Sequence, residues 1–346
     1  MINVFLLCGG PSSEHDISLR SALNISKSLN KSKYDTKLVY IDKKGAFSKP
    51  YDVIETKDEF DLVKETNKNI AGSIAEFLEV LKDYDPATTI IIPAIHGTYG
   101  EDGTIQGFLD CIRFPYIGNG LLSSALCMDK VTTNDIFEKN GLSQAKYLYT
   151  YKEGFDDAFI ERCIDEIGLP LIVKPSANGS SVGVSKVENK DELAEAIKEA
   201  LKYDQKVLVE ELIDGQEIEI AIIGEGDNLD ASVPAAYITN HKFLDYDAKY
   251  FDKETIAQVP YEMEEIYKIE AINFAKECYK AAGCEGFARV DIFYTKENKF
   301  FINEINTFPG FTPTSFFARL AMDMYGEDFD FVLDKLIDDG FRRFEW

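Results

Sequence analysis

FARVDIFYTKENKFFINEINTFPGFTPTS, residues 287–315, decides how the rest of the chain is read. Two apolar runs flank the polar turn Thr295–Lys299, and a Gly/Pro-rich loop follows, so the spacing predicts a hairpin that runs into an irregular loop. Residues two apart on a strand share a face. Arg289 and Asp291 therefore project together, as do Glu304 and Asn306 at the end of the second strand. One cation and three oxygen donors converge. Asp, Glu and Asn are hard ligands of the kind Mg²⁺ takes, with waters and substrate phosphates filling its remaining positions. An edge hairpin with solvated charges would show the same alternation, but it would not need the loop that Pro309, Gly310 and Pro313 fix after Asn306. The stretch outlines a nucleotide-phosphate site.

The 346 residues exceed the size at which a single core stops growing, which predicts two or three domains, and a hydrophobic content of 45% is ample to fill them. The balance of 37 basic against 61 acidic residues gives a formal charge of −24, which repels nucleic acid and acidic membranes. An anionic small molecule can still be held where a few cations concentrate. Cys8, Cys111, Cys127, Cys163, Cys278 and Cys284 form no CxxC and no metal-ligand spacing, and read as small hydrophobes in a reducing compartment. The start, MINVFLLCGG, lacks the basic residues and apolar length of a signal peptide, and no apolar run reaches spanning length. A cytoplasmic protein is expected.

Ile2 to Cys8 reads as a buried parallel strand that breaks at Gly9-Gly10-Pro11 before helical spacing sets in. Ligands bind at the carboxyl ends of such strands, which puts Glu14, His15 and Ser18 at a site entrance; Ser12 or Ser13 with Glu14 would equally serve as a helix cap. Further strands are predicted over 37–41 and 89–95, and a helix over 74–82. The strand ending at Ile95 leads into HGTYGEDGTIQGFLD, where Gly97, Gly100 and Gly103 permit tight turns and His96 and Glu101 add titratable groups to the same sheet edge. A purely structural His96 fits this sequence too. Neither GxGxxG nor GxxxxGK[ST] occurs, so nucleotide binding requires another architecture.

A new domain is expected near Met128, where MDKVTTNDIFEKNG reads as one helix closed by Gly141 and FDDAFIERCIDEIG as another closed by Gly168. LPLIVKPSANGSSVGVSKV then offers a strand carrying Lys174 and a Gly/Ser turn over 178–183, which is either a phosphate cradle of N–H groups and hydroxyls or a plain flexible hairpin. A helix is predicted over 190–203. Glu210 and Glu217 flank the turn Ile213-Asp214-Gly215, placed either to read an adenine edge and ribose or to be solvated. Residues 241–255, HKFLDYDAKYFDKET, are polar, aromatic and aperiodic, as in a long functional loop, with Lys249 and Tyr250 able to close over a site.

Taken together, GGPSSEHDISLRSA, HGTYGEDGTIQG, CMDK, KPSANGSSVG, DYDAKY, ARVD and NEINTFPGFT closely resemble the D-alanine–D-alanine ligases of the ATP-grasp superfamily, in family order and over essentially the whole chain. The resemblance implies an α/β (α+β) ATP-grasp fold in three domains: an N-terminal domain with an open parallel sheet (1–125), a central lid (126–212), and a C-terminal domain (213–346) with the metal site and a mobile loop, 241–255. It implies that Asp291, Glu304 and Asn306 ligate two Mg²⁺ ions, with Mn²⁺ as an alternative, and that these bridge the phosphates of ATP. Lys130 and Lys174 would contact those phosphates, Ser180 and Ser181 would lie in the lid's phosphate loop, Glu210 and Ile213 would border adenine, and Glu217 would hold the ribose. Glu14 and His96 match the anchor of the first D-alanine's ammonium. Arg289, Ser18, Tyr250, Gly310, Ser315 and Lys249 match positions around the reacting carbonyl, the second amino acid and the transferred phosphate.

The implied activity is ATP-dependent formation of D-alanyl-D-alanine through an acyl phosphate, for peptidoglycan precursors, by a cytoplasmic homodimer with no nucleic-acid or membrane partner. Glu211 stands where many members have Lys, Leu244 where Tyr is frequent, and the segment after Ser315, FFARLAMDMYGEDF, departs from the usual pattern. D-serine or D-lactate as acceptor stays open, and so does an inactive nucleotide-binding regulator, although such a protein is expected to have lost some of Arg289, Asp291, Glu304 or Asn306.

Overall fold

Continuous apolar runs build the first sheet. The computed structural model describes residues 1–53, 55–238 and 256–344. Strand β1 (Ile2–Gly9) lies between β2 (Tyr34–Ile41) and β4 (Thr89–Ala94), paired in parallel with both, and the two-residue β3 (Tyr51–Asp52) adds an antiparallel edge to β2. Alternate residues of β1 feed two cores. Val4, Leu6 and Cys8 join one face, with helix α1 (His15–Ser28), while Phe5 and Leu7 pack on the other with Phe77 of α2 (Ile70–Leu81) and Leu109 of α3 (Thr104–Ile112). Burial on both faces is why the run is uninterrupted.

Two boundaries differ from the sequence reading. β2 begins at Tyr34 rather than residue 37, because its backbone pairs with β1 from Ile2 onward and Tyr34 anchors its hydroxyl on Asp334 at 2.6 Å, so the polar Asp35–Lys37 stretch is carried along. α2 begins at Ile70, where the Asn69 side chain accepts from the Gly72 N–H at 3.0 Å.

The helix expected from Met128 to Gly141 is α5 (Lys130–Lys139), which starts two residues later and follows a separate helix, α4 (Leu121–Met128). Asp129 breaks the run with φ −88° and ψ 96°, capping the Thr132 N–H at 3.1 Å and accepting from the Ser176 hydroxyl at 2.7 Å and from Lys206. A second sheet, in the order β5 (Tyr147–Tyr151), β8 (Lys206–Glu211), β6 (Leu171–Pro175), β7 (Ser185–Val187), is antiparallel throughout. Helices α6 (Asp157–Glu166) and α7 (Lys190–Ala200) share a core with its apolar face, which includes Leu171, Val173, Val207 and Val209.

The third sheet runs β10 (Asn228–Ala231), β9 (Gly215–Glu225), β13 (Phe287–Thr295), β14 (Phe300–Asn306), also antiparallel. One face packs with α8 (Glu265–Ala281) and with Phe137 of α5. Ala221, Ile223 and Phe287 belong instead to the core shared with the first sheet, α9 (Phe316–Tyr325) and α10 (Phe329–Arg343). A two-stranded ribbon, β11 (Ala236–Ile238) with β12 (Ile256–Gln258), stands beside β9. The first and third sheets meet at a buried latch. The Asn119 amide donates to the carbonyls of Phe287 (2.6 Å) and Thr307 (3.0 Å), and its oxygen accepts from the Glu285 N–H (2.9 Å). Gly286, at φ +78°, is pressed on the Gly118 carbonyl so closely that an added Cβ would lie 2.7 Å from that oxygen. No helix among the described residues is long and apolar enough to cross a membrane.

Candidate active site

A cleft of about 390 Å³ opens where the three sheets converge. Its floor is set by strand register. Across β9, β13 and β14, Glu219 pairs with Asp291 and Asp291 with Glu304, placing three carboxylates in a row, while Arg289 stands opposite Asn306. A register shift after Asp291 ends the row and leaves Asn303 free to reach Glu217, its amide donating at 2.8 Å.

Arg289 grips Asp291 through two bonds of 2.7 Å and lies 2.6 Å from Glu219, and the Asn306 amide donates to Asp291 at 3.0 Å. Burial pushes the Asp291 carboxyl up to about 8, with Arg289 opposing and the charges of Glu219 and Glu217 adding to the rise. Glu304 goes the other way. Burial alone would raise it, but Lys130, Lys174 and Arg289 together outweigh burial and hold it at about 2. The floor thus carries more buried carboxylate than its own cations offset. Hard oxygens short of positive charge are a donor set that fits a divalent cation such as Mg²⁺.

Lys130 Nζ is 3.3 Å from Glu304 and donates to the Asn178 carbonyl at 2.9 Å; Lys174 Nζ is 2.6 Å from Glu210. Two ammonium groups therefore line the cleft beside the carboxylate row. Ser180 and Ser181 take left-handed backbone, φ 52° and 55°, in the 178–183 turn, and the Ser180 hydroxyl donates to Glu14 across the cleft. At the other end Glu14, His96 and Glu101 bring their polar atoms within 4.8 Å of one another. His96 is buried, its Nε2 2.7 Å from the Ser21 hydroxyl and its Nδ1 3.1 Å from the Phe308 carbonyl. Burial opposes its charge, but the hydrogen bond and charge of Glu101, with the charge of Glu14, prevail and raise its affinity for a proton.

The structure brings Glu14, His96, Lys130, Lys174, Ser180, Ser181, Glu210, Ile213, Glu217, Arg289, Asp291, Glu304, Asn306 and Gly310 to this one cleft. Two expected residues sit differently. Ser18 is fully buried, its hydroxyl joining the Ala94 carbonyl to the Gly9 N–H and so tying the ends of β1 and β4. Ser315 turns its hydroxyl to Thr312, 2.7 Å from Oγ1 and 3.2 Å from N. Lys249, Tyr250 and Leu244 lie outside the described residues. Glu219 was missed in the sequence, although the period-two argument applied to Arg289 and Asp291 finds it two residues after Glu217.

Residues 3–119 match the family described as D-ala D-ala ligase N-terminus, and residues 136–338 match D-ala D-ala ligase C-terminus. The chain is 41% identical to a D-alanine–D-alanine ligase of Finegoldia magna over 97% of its length and 94% of that protein's. A D-alanine–D-alanine ligase of Staphylococcus haemolyticus is 36% identical over 99% of this chain and 96% of its own. The chain belongs to the D-alanine–D-alanine ligase family. Solved structures agree. The D-alanine–D-alanine ligase from Coxiella burnetii superposes with a TM-score of 0.81 at 29% identity, covering 99% of this chain and 95% of its own. The VanG D-Ala:D-Ser ligase from Enterococcus faecalis gives 0.81 at 31%, covering 98% and 99%. The fold is that of the ATP-grasp ligases, with open sheets and no barrel.

Proposed function

We propose that this protein joins two D-alanines into D-alanyl-D-alanine at the expense of ATP, supplying a peptidoglycan precursor. One observation carries the reading: an ammonium-binding acid cluster, a carboxylate row short of cations and a pair of lysines share a single cleft. A carboxylate oxygen of the first D-alanine attacks the γ-phosphorus of ATP, and ADP leaves. The second amine then attacks the acyl carbon, inorganic phosphate departs and the amine loses its proton. A divalent cation held by Asp291, Glu304 and Asn306 supplies charge neutralisation on the phosphates; family membership carries the use of ATP and such a metal, while two ions, and Mn²⁺ in place of Mg²⁺, are our proposal.

The chain's own groups do the rest. Lys130 and Lys174 offset phosphate charge, and Arg289 meets the oxyanion that develops on the acyl carbon. Glu14, backed by His96 and Glu101, takes the first ammonium, and Ser180 closes on Glu14 from the lid turn, excluding water that would hydrolyse the acyl phosphate. Glu210 and Ile213 border adenine, Glu217 takes the ribose, and Gly310, at the head of the loop that ends at Ser315, receives the second amino acid.

The domain division at 126 and 213, the homodimer and the cytoplasmic location are carried as proposals; light scattering on the purified protein tests the dimer. The likeness to a D-Ala:D-Ser ligase favours D-serine as the second reading of the acceptor. Offering D-alanine, D-serine and D-lactate in competition and weighing the products decides: mainly D-alanyl-D-alanine is expected, and a dominant D-alanyl-D-serine or depsipeptide would replace the acceptor assignment.

A further inference from the structure

Tyr237 borders the cleft and takes part in none of the steps above. It is the middle residue of β11, which is fixed to β12 by pairing with Ala257 and to β9 by the bridge between Ala235 and Glu219. Its carbonyl accepts from the Gln216 amide at 3.2 Å, and the same amide nitrogen donates to the Glu217 carbonyl at 2.9 Å. The Tyr237 backbone is therefore held to the strand that carries Glu217 and Glu219. Its ring lies on that of Phe316, centroids 4.1 Å apart and planes 28° from parallel.

Phe316 is the first residue of α9, is 1% exposed, and directly follows the Gly310–Ser315 loop. The Ser315 hydroxyl is turned back to Thr312 and does not cap α9, and among the described residues no side chain accepts from the N–H groups of its first turn. The stack is one lateral contact on the start of α9, which also packs through Phe316 and Phe317 in the core shared with Ala221 and Ile223 of β9.

We infer that Tyr237 is a positioning residue for the acceptor amino acid, acting through Phe316 on the Gly310–Ser315 loop and the start of α9. The inference rests on the ligase reading above. It makes a specific demand on chemistry. When the acceptor amine is misplaced, water takes the acyl phosphate instead, returning D-alanine and inorganic phosphate, so ADP is formed without dipeptide.

The test is steady-state kinetics with ADP and dipeptide measured together. Tyr237→Leu is expected to raise the KM of the second D-alanine by about threefold to tenfold, the scale on which an aromatic pair contributes. The ATP KM should stay unchanged, and more than one ADP should be released per dipeptide. Tyr237→Phe keeps the ring on Phe316 and should be clearly less impaired than the Leu variant in acceptor KM and in coupling. Unchanged acceptor KM and coupling in the Leu variant would overturn the inference, as would a parallel loss of ATP affinity or a Phe variant as impaired as Leu. Wild-type protein that forms no dipeptide would overturn the ligase reading itself, which keeps the two failures distinct.

Discussion

Asn119 is 1% exposed and holds together the chain segments that carry the site. Its amide donates to the Phe287 and Thr307 carbonyls, at 2.6 and 3.0 Å, and its oxygen accepts from the Glu285 N–H at 2.9 Å. Phe287 opens β13 two residues before Arg289, and Thr307 follows Asn306 directly. Asn119→Ala removes these three bonds, and the 3.3 Å bond that the Ser123 hydroxyl donates to the same oxygen, and leaves the partners in a buried seam. A hydrogen bond contributes about 1 kcal/mol net, and a stranded buried carbonyl costs about 1–3 kcal/mol, so the loss should be about 2–4 kcal/mol. In a chain of this size that lowers Tm by roughly 3–6 °C. Calorimetry on the two proteins reads the shift, and turnover measured well below Tm should fall as well, because Arg289 and Asn306 lose their common anchor. Asn119→Asp keeps the acceptor but sets a buried carboxylate against both carbonyl oxygens, so near neutrality it should be at least as destabilised as the Ala variant. A variant with wild-type Tm and turnover would refute the argument that this residue joins the first and third sheets.

Glu304→Gln or Asn306→Ala should cost several kcal/mol of transition-state stabilisation, about 10²–10³-fold in kcat/KM, and near-wild-type turnover at ordinary Mg²⁺ would remove these residues from the metal site. Gly179→Val should raise the ATP KM, because a Cβ there would lie 2.8 Å from the Glu14 oxygen that receives Ser180; an unchanged ATP dependence would return the turn to a plain hairpin. Asp42 has the opposite pH logic to His96. Burial disfavours its charge, but Thr66 (2.6 Å) and the N–H groups of Lys44 (2.8 Å) and Ala46 (3.0 Å) prevail and hold its pKa below the usual range. Its contribution is present above the unfolded value of about 3.9 and is lost as pH falls through the folded value, so Asp42→Asn should be less stable near neutrality and converge with wild type in acid. Denaturant midpoints at pH 7 and pH 3.5 that differ equally would contradict this.

Most of the site was legible because it is built on strands. Period two places Arg289 with Asp291 and Glu304 with Asn306 from sequence alone, and the hairpin's register confirms that they share one face. The same rule reaches Glu219 once EIEIA is read as a strand. Sequence could not reveal what depends on chain segments far apart. Nothing local marks Asn119 as a latch to residues 285–307, and β5, over YLYTY, takes its order from pairing with β8. Ser18 shows the reverse limit. Its place in a helix after a Gly-rich turn was clear, but only the tertiary structure shows its hydroxyl spanning Gly9 and Ala94.

Product stoichiometry tests the ligation most directly: purified protein with ATP, Mg²⁺ and D-alanine, with ADP, phosphate and dipeptide quantified in the same sample. One ADP and one phosphate are expected for each D-alanyl-D-alanine formed, with no ADP above background when D-alanine is left out. ATP breakdown independent of D-alanine, or D-alanine-stimulated breakdown with no dipeptide, would contradict it.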